Sequence, residues 1–168
     1  MNIFTINNKK EEKFLRQRVP IFDFKKFSKK EINDLLKTMK EKMQAADGIG
    51  LSANQLGLSQ RFFIAQLPTP EGQIKSYAIF NPEIIKFSRE KEIAIEGCLS
   101  VPGLLGYVER PEKIVLTGFD KNGKKIKIKA WGLLARVFQH EIDHLNGILF
   151  IDKAKEVFKE IAEQATKI

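Results

Sequence analysis

The N-terminal third of the chain contains one clear helical pattern. Ser28 and Glu31 have the spacing of a capping box, in which each side chain accepts a hydrogen bond from a backbone N–H at the start of a helix. Apolar residues then recur at intervals of three and four, as on one face of an amphipathic helix: Ile32, Leu35, Leu36, Met39 and Met43. The Asp47-Gly48 pair predicts the end of this helix.

The middle of the chain alternates short apolar runs with turn residues, a pattern typical of β-strands. The predicted strands are Arg61–Leu67, Ser76–Phe80, Ile84–Phe87 and Ile93–Ile95. Two further runs, Lys113–Phe119 and Lys124–Ala130, flank Asp120-Lys-Asn-Gly123 and predict a β-hairpin. In the second of these runs Ile126 and Ile128 alternate with lysines, which indicates one buried and one solvated face.

The helical pattern returns towards the C-terminus. It extends from Leu133 to about Asn146, and Gly147 is a typical residue to end a helix. Asp152 can cap a final helix over residues 152–168, with an apolar face of Ala154, Val157, Phe158, Ile161 and Ala165. Residues 1–13 are expected to be irregular. This order of elements predicts one α+β domain over residues 1–168, with mostly antiparallel strands around a buried helix and with an N-terminal and a C-terminal helix.

Composition excludes several classes of protein. The 168 residues are 43% hydrophobic and 30% charged, as in a globular domain, and include one cysteine and two histidines. A single cysteine excludes an internal disulfide framework and any zinc module built on two or more cysteines. No apolar run reaches the ~18 residues of a membrane span, and Met1–Pro20 has no apolar run of signal-peptide length. The sequence therefore predicts a cytoplasmic protein with no membrane partner, and the alternative is an organellar protein in its mature form.

The net charge of +8 is concentrated in two segments. Residues 1–30 carry nine Lys/Arg against three acids, and residues 113–129 carry six lysines against one acid. Solvated lysine on surface faces is the favoured interpretation, and a surface that docks on a polyanion such as the ribosome is the alternative. No basic stripe interleaved with aromatic residues is present, so no specific nucleic-acid site is predicted.

Both histidines lie in one short motif, His140-Glu141-Ile142-Asp143-His144. Residues four apart share one face of a helix, so the two imidazoles can chelate one metal ion, with the intervening glutamate as a general base. The flanking residues are unusually apolar, which predicts a buried helix. Because unpaired polar groups are costly to bury, this composition favours a metal site over a chance match on a surface helix.

The third metal ligand must come from another residue type, since a catalytic zinc-type site usually has three protein ligands. Cys98, in Glu96-Gly-Cys-Leu-Ser100, is the preferred candidate. One alternative is a zinc endopeptidase that instead uses Glu156, Glu160 or Glu163. A second alternative is a basic nucleic-acid- or ribosome-binding protein in which the metal is structural.

The segment Gly48-Ile-Gly-Leu-Ser-Ala-Asn-Gln55 carries a third set of candidate residues. Its glycines permit a close approach of the backbone to a ligand or a positive φ. No Lys-Ser/Thr pair follows, so the segment is not a phosphate-binding loop. The Gln55 amide could either satisfy nearby backbone or donate a hydrogen bond to a substrate oxygen.

These three segments, in this order and at these separations, resemble the peptide deformylases, over roughly residues 14–152. The resemblance extends to Leu15-Arg-Gln-Arg-Val-Pro20 and Val108-Glu-Arg-Pro111. It implies a metal-dependent hydrolase that removes the formyl group from the N-terminal formyl-methionine of newly made polypeptides and releases formate. It also implies one divalent metal ion, natively Fe²⁺, for which Zn²⁺, Ni²⁺ or Co²⁺ can substitute.

The resemblance also assigns roles to individual residues. The implied metal ligands are Cys98, His140 and His144, and Glu141 is the implied general acid/base. Gln55 and the backbone N–H of Leu99 resemble the family's donors to the oxyanion. The backbone of Gly50 is expected to pair with the substrate chain, and the methionine pocket is expected to be lined by Ile49, Leu133 and Val137.

Overall fold

The computed structural model describes residues 1–69 and 72–160. Within these ranges the helices are α1 (Lys9–Leu15), α2 (Lys29–Ala45) and α3 (Gly132–Leu145). Short 3-10 helices cover Phe24–Lys26, Ala53–Leu56 and Phe150–Asp152. The strands are β1 (Gly50–Ser52), β2 (Phe62–Pro68), β3 (Ile74–Phe87), β4 (Lys91–Cys98), β5 (Val101–Pro111), β6 (Lys113–Phe119), β7 (Lys125–Trp131) and β8 (Ala154–Lys159).

The strands form two antiparallel sheets. The larger has the order β1-β2-β3-β6-β7, and the smaller has the order β4-β5-β8. The predicted hairpin is β6 and β7, in which Leu116 pairs with Ile128. The α+β architecture with mostly antiparallel strands is thus confirmed. None of the helices in the described residues is both long enough and apolar enough to span a bilayer.

Helix α3 lies at the centre of the molecule. Every residue from Ala135 to Leu145 is buried, although the helix carries two histidines and two acids. Its apolar side chains pack against the larger sheet in a core that includes Val137, Phe138, Phe63 and Leu116. Cys98 belongs to a separate small core between the smaller sheet and the 3-10 helix Phe150–Asp152. The polar residues of α3 therefore have to find their partners inside the protein.

Helix α2 begins as predicted. Ser28 accepts a hydrogen bond from the Glu31 backbone at 3.2 Å, and the Glu31 carboxylate accepts one from the Ser28 backbone at 2.7 Å. The buried side chains of this helix are Ile32, Met39 and Met43. They pack in a second core with residues of β1 and β2, which places the end of α2 directly before the Gly48–Gln55 segment.

The predicted C-terminal helix is wrong over Ala154–Lys159, which forms β8. This strand pairs with β5, with Phe158 opposite Leu105. The apolar spacing fits a helix, but the open edge of β5 offers backbone hydrogen bonds that override this local pattern. Residues 161–168 of the predicted helix lie outside the described residues.

Four other differences separate the structure from the sequence patterns. Part of the segment predicted to be irregular is helix α1, which Asn8 caps by accepting a hydrogen bond from the Lys10 backbone at 3.0 Å. Strand β5 was not predicted, because its sequence contains two prolines and two glycines, which usually mark turns. Strand β1 is only three residues long, and the two predicted strands within 74–87 are one continuous strand.

Candidate metal centre and active site

The metal-ligand candidates meet at one buried point. The nearest ligand atoms of Cys98, His140 and His144 all lie within 4.8 Å of one another. Helix α3 presents the two histidines one turn apart, and Cys98 reaches them from the end of β4. The distance from Cys98 Sγ to His144 Nε2 is 3.1 Å. Among the described residues this cluster includes neither Glu156 nor Glu160, whereas Glu163 lies outside those residues.

The chemistry of these three residues fits a divalent metal ion. His140 Nε2 and His144 Nδ1 are buried and have no hydrogen-bond partner among the described residues. An unpaired buried nitrogen is costly, and a metal ion at His140 Nε2 would remove that cost. One thiolate and two imidazoles form a donor set that suits borderline or soft transition-metal ions, and three protein ligands leave a coordination position for substrate.

The orientation of His140 is fixed by Glu96. His140 Nδ1 lies 3.0 Å from Glu96 Oε2, so this nitrogen donates to the carboxylate and Nε2 is directed towards the cluster. Burial alone would lower the pKa of His140, but hydrogen bonds and charge from Cys98 and Glu96 outweigh it and raise the pKa to about 10. A metal ion would displace the proton from Nε2, because only a neutral imidazole can ligate.

Glu96 is itself held by two buried arginines. Its Oε1 accepts hydrogen bonds from Arg110 Nε at 2.5 Å and from Arg136 Nη1 at 2.8 Å, and its Oε2 accepts from Arg110 Nη2 at 2.8 Å. Arg110 also donates to Asp143 Oδ2 at 2.8 Å. Burial favours the neutral form of Glu96, but Arg110 and His140 outweigh it and lower the pKa of this carboxyl well below its usual range. Glu96 is therefore an ionised partner of the metal-site histidine.

Glu141 lies beside the cluster and is almost fully buried. Its Oε2 accepts a hydrogen bond from Ser52 Oγ at 2.6 Å. Burial raises the pKa of Glu141 to about 7, although charge from His140 and the Ser52 hydrogen bond act in the opposite direction. A carboxyl group with a pKa near neutrality can both accept and return a proton.

The Gly48–Gln55 segment brings the proposed oxyanion donor to the same place. Gln55 Oε1 accepts a hydrogen bond from the Ser52 backbone at 2.8 Å, which turns the amide so that Nε2 donates to Ser100 Oγ at 3.1 Å. Nε2 also lies 3.7 Å from Cys98 Sγ. Leu99 follows Cys98 directly. Its side chain packs so closely on Gly48 that a β-carbon there would lie 2.7 Å from Leu99 Cδ1.

Of the predicted substrate-binding residues, Gly50 lies directly against the Glu141 carboxylate. A β-carbon at Gly50 would collide with the Glu141 carboxylate and lie 3.1 Å from Val137 Cγ1, so only glycine leaves this space open. Ile49 packs against the same core as Val137. Leu133 is 47% exposed and lies one helical turn before Val137, on the same face of α3.

Four polar residues of the site were not given a role by the sequence: Ser52, Glu96, Arg110 and Arg136. Three of them lie within or beside the recognised motifs, but nothing in the motifs shows which atoms they contact. Arg136 faces Glu96 and the carbonyl oxygens of Glu92 and Val108, so it links α3 to β4 and β5. Only the packing of α3 on the smaller sheet reveals these contacts.

The Arg110 interactions predict a large effect on stability. Arg110→Met leaves the Asp143 carboxylate with Lys153 as its one ion-pair partner among the described residues, and it removes two hydrogen bonds from buried Glu96. Breaking a buried ion pair from one side typically costs ~3–5 kcal/mol. We expect that loss in the free energy of unfolding, measured in urea. Arg89 is exposed, so Arg89→Met should stay within about 0.5 kcal/mol of the parent. Equal effects of the two changes would contradict the importance of the buried network.

Fold and site together define a metal-dependent hydrolase. Residues 2–160 match the sequence profile of the family described as polypeptide deformylase. The curated peptide deformylase of Natranaerobius thermophilus is 48% identical over 126 residues, which cover 75% of this chain and 78% of that protein. The chain therefore belongs to the peptide deformylase family.

Solved structures agree with this assignment. A probable peptide deformylase from Synechococcus phage S-SSM7 superimposes with a TM-score of 0.81 at 44% identity, covering 91% of this chain and 99% of that one. A class I type b peptide deformylase from Acinetobacter baumannii, with Met-Ala-Ser bound, gives 0.82 at 30% identity, covering 91% and 97%. The protein is an enzyme that removes the N-formyl group from nascent peptides, and dependence on a metal ion is a general property of its family.

Proposed function

We propose that Cys98, His140 and His144 hold one catalytic divalent ion and that Glu141 moves the proton in deformylation. The observation that carries this proposal is a buried cluster of three metal-ligand side chains together with the buried carboxyl group of Glu141, the residue that follows His140 on α3. When bound, the ion supplies Lewis acidity, which lowers the pKa of water and polarises the formyl oxygen.

The residues of the chain divide the remaining steps. Glu141 accepts a proton from the attacking water molecule as the water oxygen bonds to the formyl carbon. The oxygen of the tetrahedral intermediate accepts hydrogen bonds from Gln55 Nε2 and the Leu99 N–H. Glu141 then delivers the proton to the α-amine as the C–N bond breaks, and the products are formate and a free N-terminus.

The substrate is proposed to lie along β1 and α3. The backbone of Gly50 pairs with the peptide, and the methionine side chain occupies a pocket lined by Ile49, Leu133 and Val137. The Met-Ala-Ser peptide bound to the Acinetobacter baumannii relative supports a site for chains that begin with methionine. Glycine at position 50 has no β-carbon, and any larger residue would collide with the Glu141 carboxylate. The substrate backbone can therefore approach the general base here.

The native ion is proposed to be Fe²⁺, with Zn²⁺, Ni²⁺ or Co²⁺ as substitutes. A thiolate ligand donates more electron density than a third imidazole and suits redox-active ions. A ferrous centre next to Cys98 would be sensitive to oxygen, because a thiolate is open to oxidation.

The place of action is proposed to be the cytoplasm, at or near the ribosome. The two basic segments, residues 1–30 and 113–129, supply positive charge for a transient contact with ribosomal RNA. Lowering the salt concentration should strengthen co-sedimentation with ribosomes if this contact exists, because contacts to phosphate depend steeply on salt.

The activity is tested on protein prepared without oxygen. Its metal content is measured, and formate release is followed from a short formyl-Met peptide and from the acetyl-Met analogue. We expect one Fe²⁺ per chain and release of formate from the formylated peptide only. Cleavage of an internal peptide bond would instead support the endopeptidase alternative, and an absence of hydrolysis would support a purely structural metal.

The role of Gln55 gives a separate prediction. Gln55→Ala removes one of the two proposed oxyanion donors and should lower kcat by ~10²–10³-fold. The exposed amide Gln44 provides a matched control, since Gln44→Ala deletes the same group from a side chain that donates to Gln66 and not to a residue of the cluster. Near-normal turnover of Gln55→Ala, measured on protein shown to be folded, would remove Gln55 from the mechanism.

A further inference from the structure

A second polar cavity lies on the opposite side of α3 from the metal cluster. Its volume is about 300 Å³. Helix α3 contributes Gln139, Ile142 and Asp143 to it, whereas His140, Glu141 and His144 point to the other side. We call it the basic pocket, because its charged lining residues are Arg18, Arg61, Arg110, Lys153, Glu83 and Asp143. Four cations and two acids line it, and Glu96, which lies outside the lining, also pairs with Arg110, so between one and two positive charges are left over.

The acids of the basic pocket do not neutralise all of its cations. Asp143 is shared between Arg110 at 2.8 Å and Lys153 at 2.7 Å. Arg61 is half-buried, and within the described part of the chain it donates to the carbonyl oxygens of Leu145 at 3.0 Å and Pro82 at 3.4 Å and to no carboxylate. Arg18 makes no ion pair with any residue in the described ranges, and it is exposed at the mouth of the pocket.

The two unneutralised arginines lie close enough to affect each other. Burial lowers the pKa of Arg61, and the charge of Arg18 lowers it further, whereas Glu83 acts in the opposite direction. Two guanidinium groups that repel each other next to a cavity are stabilised by an anion between them. Arg18 and Arg61 have N–H groups that are not bonded to carbonyl oxygens. Together with the Lys153 ammonium, these groups can donate to several oxygens of one ligand.

We propose that the basic pocket binds a phosphate group, held mainly by Arg18 and Arg61. A phosphate monoester carries about −1.5 to −2 charges at pH 7, which matches the excess positive charge of the pocket. Arginine forks suit phosphate oxygens better than lysine does, because they can donate two parallel hydrogen bonds. The phosphate can come from free inorganic phosphate or from the backbone of an RNA strand.

Phosphate binding is measured by calorimetry on the metal-loaded, full-length chain, with inorganic phosphate as the probe and ionic strength held constant. We expect saturable binding at one site. Arg18→Gln removes an exposed donor that no described residue uses and should weaken binding about tenfold or more. Glu83→Gln removes a repulsive charge and should strengthen binding.

Arg89 provides the matched control, because it is also exposed, also makes no ion pair among the described residues and lies outside the pocket. Arg89→Gln should leave phosphate affinity unchanged. A lack of saturable binding, or equal losses in Arg18→Gln and Arg89→Gln, would overturn the proposal. Full affinity in Arg18→Gln would place the phosphate elsewhere, for example on the metal ion, and would also overturn it.

A second titration distinguishes the two sources of phosphate. If the pocket receives an RNA strand, a short oligouridylate should bind more tightly than inorganic phosphate, and Arg18→Gln should weaken both ligands. If it receives the free anion, inorganic phosphate should bind at least as tightly as the oligonucleotide. Deformylase activity is not the readout, so failure of this proposal is distinguishable from failure of the proposed catalytic roles.

Discussion

Replacing Glu141 with alanine is expected to leave the metal bound and to remove most of the turnover. Glu141 is not a member of the ligand cluster, and its carboxylate is held by Ser52 Oγ at 2.6 Å. General acid–base catalysis typically contributes ~10²–10⁴-fold, and Glu141 serves both the attack and the departure of the amine. We therefore expect kcat to fall by at least that factor, while the metal content per chain stays that of the parent.

Two further variants make this result specific. Glu141→Gln keeps the shape of the side chain and an oxygen for Ser52, but cannot accept a proton, so it should be as inactive as Glu141→Ala. Glu90 is an exposed acid away from the cluster, and Glu90→Ala should retain full activity. If Glu141→Ala lost its metal, Glu141 would be a ligand or a structural support of the cluster. If Glu141→Gln turned over normally, the proton would have another carrier.

The second large effect is expected for Cys98. Cys98→Ala leaves only the two imidazoles of α3, which do not provide the three protein ligands usual for a catalytic site. The purified variant should contain much less than one metal ion per chain. Deformylation should fall by about 10³-fold or more, because the ion supplies several kcal/mol of charge stabilisation. Metal analysis by mass spectrometry and formate release measure the two effects on the same sample.

Folding has to be separated from ligation in this experiment. Cys98 packs against Val101 and Leu149, so its truncation also leaves a small cavity. Val101→Ala removes apolar volume from the same core but keeps all three proposed ligand side chains, so it should keep its metal. Full metal occupancy in Cys98→Ala would favour the endopeptidase alternative, in which a glutamate near the C-terminus completes the site.

The positions of the candidate residues could be inferred before their contacts were known. His140 and His144 are four residues apart in an apolar helical pattern, and with one cysteine in the chain the possible third ligands were few. Glu96, Arg110 and Arg136 are different, because they are separated by 14 and 26 residues and belong to two strands and a helix. Both arginines meet at Glu96, which in turn contacts His140, and this depends on how α3 packs against the smaller sheet, which no local pattern records.

The same distinction holds for the fold. Helix α2 has a capping box and an apolar stripe, and the hairpin of β6 and β7 has a turn signal between alternating strands, so both are determined by neighbouring residues. Strand β8 is not determined by neighbouring residues. The apolar residues of Ala154–Lys159 have the spacing of a helix, and the segment forms a strand because β5 offers an open edge. Strand β5 tolerates its two prolines because Pro102 lies in the irregular part of the register with β4 and Pro111 lies at the end of the strand, both outside the Leu104–Val108 span that pairs with β8.

The sequence by itself determined the α+β class, the elements with strong local signals and the set of residues able to bind a metal ion. The tertiary structure decided which polar groups meet around α3. It placed Ser52 on Glu141, two arginines on Glu96, and, beside the cavity on the other side of the helix, two arginines that form no ion pair with the residues described. The physical reason is that a buried charge must find its partner across the fold, whereas helix and turn signals act between residues a few positions apart.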